Sequence, residues 1–129
     1  MEYEFIDPAT LPKPRGRYSQ VVRAGNLVFI AGQTAVDLDG EMVGDGDPKA
    51  QARQVYANLK TAIESVGGKA SDIVKTTTYP VDRELIPGIR EAREGFFGAA
   101  LPTSTLLIVA GLARPELLIE VEAVAILDN

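Results

Sequence analysis

The sequence predicts an α+β fold: a single mixed β-sheet packed on two helices. Two observations carry this. Residues 48–66 place Ala52, Val55, Tyr56, Leu59, Ile63 and Val66 at helical spacing, and a second such stretch ends at Gly98. The remaining apolar segments are short, β-branched and bounded by Gly, Pro, Asn or Asp, as strands are. The order ββ-α-β-α-ββ makes one layer of two helices on one sheet.

The elements follow in chain order. Residues 1–17 form a leading strand/loop segment of a single domain that spans residues 1–129. Within it, Asp7–Arg17 is too rich in proline for regular helix or central strand. Tyr18–Arg23 and Leu27–Ala31 read as a hairpin turning at Ala24-Gly25-Asn26. Asp39-Gly40 is a tight-turn pair. Asp37, Asp39 and Glu41 have the spacing of a calcium loop, but Met42 stands where that loop requires glycine, so a plain turn is preferred. Asp47 then caps the first helix, Pro48 opens it and Gly67-Gly68 ends it.

Threonine-rich "DIVKTTTYPVD" is the next strand, with Pro80 marking an edge or an end; Thr76–Thr78 count as strand formers. The second helix begins near Pro87 and buries Ile89, Ala92 and Phe96. Two strands close the chain, Thr105–Ala110 and Leu118–Leu127, separated by "GLARPE". In both, the two alternating faces are apolar. Two helices cover one face of a sheet, so the other requires a homo-oligomeric partner.

Composition narrows the chemistry. The 129 residues carry a net charge of −5 and no basic stripe, which disfavours nucleic acid as a partner. There is no Cys and no His, so a Cys nucleophile, a His base and a Cys/His zinc site are excluded within one chain. No metal and no cofactor is expected. The N-terminal residues lack the apolar core of a signal peptide, and no apolar run is long and charge-free enough to span a bilayer. The expectation is a cytoplasmic protein without a membrane partner.

Several segments together resemble the Rid family of reactive-intermediate deaminases, also called YjgF-like. They are "GRYSQVV", "AGQTAVD", "QARQVYANLKTAIESVGG", "DIVKTTTYPVD" and "IEVEAVAI", and the likeness runs from Gly16 to near the end. The resemblance implies a fold like bacterial chorismate mutase. It also implies a homotrimer whose sheets form a central barrel, with small-molecule sites in the clefts between subunits. The implied activity is hydrolysis of small enamine or imine metabolites at a C–N bond. Older labels for the family include endoribonuclease, which the acidic charge disfavours.

The site residues the resemblance implies are Glu120, which holds the attacking water, the cleft residues Tyr18 and Gly32, and Ser104, Thr105 and Leu106, the last through its backbone carbonyl. Family members carry P-x-R-S, whose Arg binds the substrate carboxylate. Here the motif reads Pro102-Thr103-Ser104-Thr105, and Ser104 stands at the Arg position. A hydroxyl does not neutralise a carboxylate, so an unusual substrate specificity is expected. Arg90, Arg93 and Arg114 are the cations considered in its place, although none matches the motif. A non-catalytic trimer that binds a metabolite as a sensor is the alternative function.

Each residue has a competing reading. Tyr18 reads equally as a strand aromatic, and Gly32 as a bulge or strand end. Glu120 and Glu122 share one strand face with Val124 and Ile126. As simple surface acids they would sit beside residues of buried type, so a wet cleft is preferred for Glu120 and a structural or interface role for Glu122.

Overall fold

The computed structural model describes residues 2–128. It contains strands β1 (Tyr3–Ile6), β2 (Val21–Ala24) and β3 (Leu27–Gln33), helix α1 (Pro48–Glu64), strand β4 (Ile73–Pro80), helix α2 (Ile86–Phe97), and strands β5 (Thr103–Leu106) and β6 (Ile119–Ile126). The strands form one mixed sheet in the order β1-β2-β3-β6-β4-β5, antiparallel except for the β4–β5 pair.

The helix termini follow local chemistry. The Asp47 side chain accepts a hydrogen bond from the Ala50 N–H at 3.1 Å, and Pro48 occupies the first turn, where a missing N–H costs nothing. Helix α1 closes just before Gly67, whose φ of +81° is costly for any residue with a Cβ. Both helices pack on one face of the sheet. That face supplies Val28, Ile30, Ile119, Val121, Ala123 and Ala125, which meet Val55, Leu59 and Ile63 of α1 and Ile89 of α2 in one core. On α2 the buried aromatic is Phe97, while Phe96 is half-buried against it.

Strand boundaries depart from expectation at two places. The second strand begins at Val21, not Tyr18, because the Gln20 N–H is already committed to the Asp7 carboxylate. Strand β5 spans Thr103–Leu106, whereas Thr105–Ala110 was expected. It pairs in parallel with β4 from Lys75 to Thr78. Beyond Leu106 the amides of Leu107 and Val109 still donate to Thr78 and Pro80, but Pro80 has no N–H to return, and the ladder ends. Pro80 therefore marks the end of a strand that lies inside the sheet, not at its edge.

The second face of the sheet lies open. Phe29 and Ile126 expose 46% and 43% of their surface, and Leu107, just past β5, exposes 51%. The apolar alternation on these strands thus places a set of large side chains in solvent within one chain. Among the described residues no helix is long and apolar enough to cross a membrane.

Candidate active site

A cavity of about 630 Å³ opens beside the junction of β3 and β6. Tyr18, Gly32 and Glu120 all line it, so three residues far apart in sequence share one space. Its position follows from a bulge. Ile30 pairs with Ala123 and Gln33 with Val121, so two residues of β3, Ala31 and Gly32, stand opposite one of β6.

The bulge brings the backbone at Gly32 hard against the Glu120 side chain. A Cβ at position 32 would lie 2.0 Å from Glu120 Oε2 and 2.7 Å from its carboxyl carbon. A side chain at position 32 would therefore displace the Glu120 carboxylate, and glycine leaves room for it. Both readings of Gly32, a bulge and a cavity wall, hold at once.

Glu120 is half-buried, and its carboxyl is raised above the usual value of 4.5. Burial is the first cause, since it disfavours the charged form, and the neighbouring charge of Glu122 is the second. Glu122 is differently placed. It accepts the hydroxyl hydrogen bond of Tyr79, which pairs with Glu120 across β4 and β6 and whose phenol is raised mainly by that bond.

A row of amides braces the cavity. Gln33, buried on β3, donates to Gln20 Oε1 at 2.8 Å and to the Ala31 carbonyl at 2.9 Å. Gln20 donates onward to the Pro12 carbonyl at 3.0 Å, fixing the leading loop. Asn58 of α1 donates to the carbonyls of Thr34 and Val36. Beyond the cavity, fully buried Gln51 donates to Gly44 and Glu116 carbonyls and accepts from the Leu118 N–H. Gln20, Asn58 and Gln51 thereby satisfy backbone groups of loops, and Gln33 satisfies a carbonyl at the bulge of β3.

Three cations also line this space: Lys13 and Arg15 from the leading loop and Arg114 from the β5–β6 loop. Of these only Arg114 was singled out in the sequence. The Asp37 carboxylate accepts from the N–H groups of Asp39 and Glu41, so it caps its own turn.

Ser104, Thr105 and Leu106 are not among the lining residues. They lie on β5, the terminal strand of the sheet, with β4 between them and Glu120. Within one chain the six expected site residues therefore form two groups. Arg93 of α2 donates to Ser104 Oγ at 2.9 Å, which brings a guanidinium to the position where the family motif has its own. Arg90 is exposed on α2 and lines no part of the cavity.

Comparison with known proteins follows the same outline. The family model described as endoribonuclease L-PSP matches residues 9–127. A RutC family protein of Pyrococcus horikoshii is 38% identical over 122 residues, covering 95% of this chain and 96% of that protein. A 2-iminobutanoate/2-iminopropanoate deaminase of Salmonella typhimurium is 36% identical over 118 residues, covering 89% and 91%. The crystal structure of RidA from an Antarctic Psychrobacter superposes with a TM-score of 0.90 at 30% identity, covering 96% of this chain and 99% of that one. With sequence and fold matched along nearly the whole length, the chain belongs to the Rid/YjgF family, the group described by the endoribonuclease L-PSP model.

Proposed function

We propose that this protein is a deaminase-type hydrolase that cleaves the C–N bond of a small enamine- or imine-like metabolite, with Glu120 as the group that holds and deprotonates water. The observation that carries the reading is the Glu120 carboxyl, half-buried in a cavity and pressed against Gly32. In a chain without His, a carboxyl that burial raises above its usual value is a base the cavity can supply. Relatives named as 3-aminoacrylate and 2-iminobutanoate/2-iminopropanoate deaminases support the reaction class.

Glu120 takes one proton from water as the oxygen attacks the C=N carbon and passes it to the nitrogen, giving a carbinolamine. Glu120 then takes the hydroxyl proton and returns it to the amino nitrogen as the C–N bond breaks, which releases ammonia and leaves a carbonyl. An enamine reaches the same path after protonation at carbon. Tyr18 and the Gly32 backbone shape the ligand side of the cavity.

The proposed working unit is a homotrimer in which the open sheet faces meet in a central barrel. The exposed Phe29 and Ile126 favour such a cover. In that arrangement β5 of a second copy brings Ser104, Thr105 and the Leu106 carbonyl to the cavity of the first. Because Ser104 carries no charge and the neighbouring Arg93 guanidinium is engaged with its hydroxyl, small 2-imino acids are poor substrates.

The test is Glu120→Gln, assayed for ammonia release from freshly generated imines and enamines, with light scattering on the same samples. The expected result is an intact trimer and turnover reduced by about a hundredfold or more. Full activity in the variant overturns the hydrolytic role. A monomer at micromolar concentration overturns the shared cleft.

A further inference from the structure

Among the described residues the two guanidinium groups in the cavity wall have no partner acid. Arg15 and Arg114 come from loops 99 positions apart, yet both donate from Nη2 to the same atom, the Gly40 carbonyl oxygen, each at 3.2 Å. A shared acceptor holds the two like charges side by side. Like charges repel, and one carbonyl oxygen does not neutralise them. Among the described residues the only ion pair joins Lys69 to Asp72, far along the chain. The acids that flank Gly40, Asp39 and Glu41, make no ion pair with either arginine, and Asp37 turns its Oδ1 to backbone N–H groups.

The local charge runs against the chain's own. The protein carries −5 overall, but the cavity is lined by Lys13, Arg15 and Arg114 against the single carboxyl of Glu120. The loops that carry the arginines are fixed. Gln51 binds the Glu116 carbonyl and the Leu118 N–H just beyond Arg114, and Gln20 binds the Pro12 carbonyl just before Arg15. The Gly40 carbonyl is presented by a turn whose N–H groups are tied to Asp37. Each guanidinium has five N–H donors, so most remain available after the contact with Gly40.

We propose that Arg15 and Arg114 form an oxyanion-binding pair, and that the cavity takes a small molecule with a carboxylate or phosphate at that end. This deepens the hydrolytic reading and rests on it only for the identity of the reacting end: the imine or enamine carbon lies toward Glu120, the anion toward the arginines. The role of the guanidinium absent from position 104 is thereby taken up from a different side of the cavity. At about 630 Å³ the space lies in the range for small-molecule ligands, and the proposed ligand carries its anion at the end away from the reacting carbon.

The test measures binding by calorimetry on the intact protein, with succinate, inorganic pyrophosphate and uncharged succinamide as probes. Arg15→Gln and Arg114→Gln keep a donor for the Gly40 carbonyl while removing charge, and thermal melts confirm that each variant folds. At least one of the two anions is expected to bind the wild type, and succinamide is not. Each single substitution should weaken that anion by about tenfold or more, and the double variant should abolish it. Preference for succinate or for pyrophosphate names the ligand's acid. Equal anion affinity in wild type and double variant, no binding of either anion, or equal binding of succinamide overturns the pair. Glu120→Gln separates this from the hydrolytic reading. Arginine-dependent anion binding without any Glu120-dependent turnover leaves the pair standing and the hydrolysis fallen. Glu120-dependent turnover with arginine-independent anion binding does the reverse.

Discussion

Around Glu120, polar groups converge on open space with much of their bonding capacity unused. The carboxyl is half-buried without a cation in contact, and two guanidiniums share one carbonyl. Along β5, by contrast, polar groups are occupied. Arg93 bonds to Ser104, Thr103 donates to the Val74 carbonyl, and Arg93 is close enough to Tyr56 to oppose the burial that pushes that phenol up to about 12. The two regions contain similar residue types. What separates them is whether the fold has left their charges unmatched, and unmatched charge in a cavity is where a ligand gains most.

The sharpest way to break this contrast is Gly32→Ala. The new methyl would fall on the Glu120 carboxylate, and because that is the far end of a flexible side chain, the carboxylate moves and the backbone stays. Displacing a reacting group by about 1 Å costs on the order of a hundredfold in rate. Gly32 has no positive φ, so the melting temperature should change little. Turnover assays beside calorimetry check both. A variant with full turnover would mean that the position of the carboxylate is unimportant, and that the cavity is not where the chemistry occurs.

A smaller effect is expected on β5. Ser104→Ala removes one uncharged hydrogen-bonding group from the proposed inter-subunit cleft, so turnover should fall by about tenfold or less. Ser104→Arg should raise kcat/KM for 2-imino acids, since a charged hydrogen bond contributes about 1.5–3 kcal/mol. Arg93 lies 2.9 Å from the Ser104 hydroxyl, so two cations would then crowd one position. Combining Ser104→Arg with Arg93→Gln should therefore increase the gain. Collapse of activity in Ser104→Ala would instead place the serine itself in the reaction.

Part of the cavity was legible in the sequence, because the family resemblance implied Tyr18, Gly32 and Glu120, which all line it. Glu120 stood out as a carboxylate on a strand face continued by Val124 and Ile126. Asp47-Pro48 and Gly98 bounded helices because cap chemistry acts within one turn. What escaped notice acts over long separations. Arg15 lies in a proline-rich loop without periodicity, and its contact with Gly40 crosses 25 positions; that of Arg114 crosses 74. The buried amides do carry a sequence signal. Gln51 and Asn58 are seven residues apart, two helical turns, on the same side of α1 as Val55 and Leu59. A polar residue repeated within an apolar stripe marks loops that need tethering. The end of β5 depended on the partner strand, because it is Pro80 that stops the ladder.

The smallest expected effect concerns stability, and it separates a functional carboxyl from a structural one. Burial raises Glu120 above its usual 4.5, so the folded protein binds its proton more tightly than the unfolded chain does. Between 4.5 and the raised folded value, the native state then holds more protons. Stability falls as pH rises through that window, and above it the ionised carboxyl is a net cost to folding. Below 4.5 both states are protonated and the cost is gone. Glu120→Gln carries no such charge, so at pH 7 it should melt a few degrees higher than the wild type. The difference should shrink toward zero as pH is lowered past 4.5. Scanning calorimetry at matched protein concentration checks this, since melting of an oligomer shifts with concentration. The opposite sign, with Glu120→Gln melting lower at pH 7, would mean that the carboxylate is stabilised by partners in the assembled protein. A carboxylate so matched would belong with the occupied groups of β5, and not with the unmatched charges of the cavity.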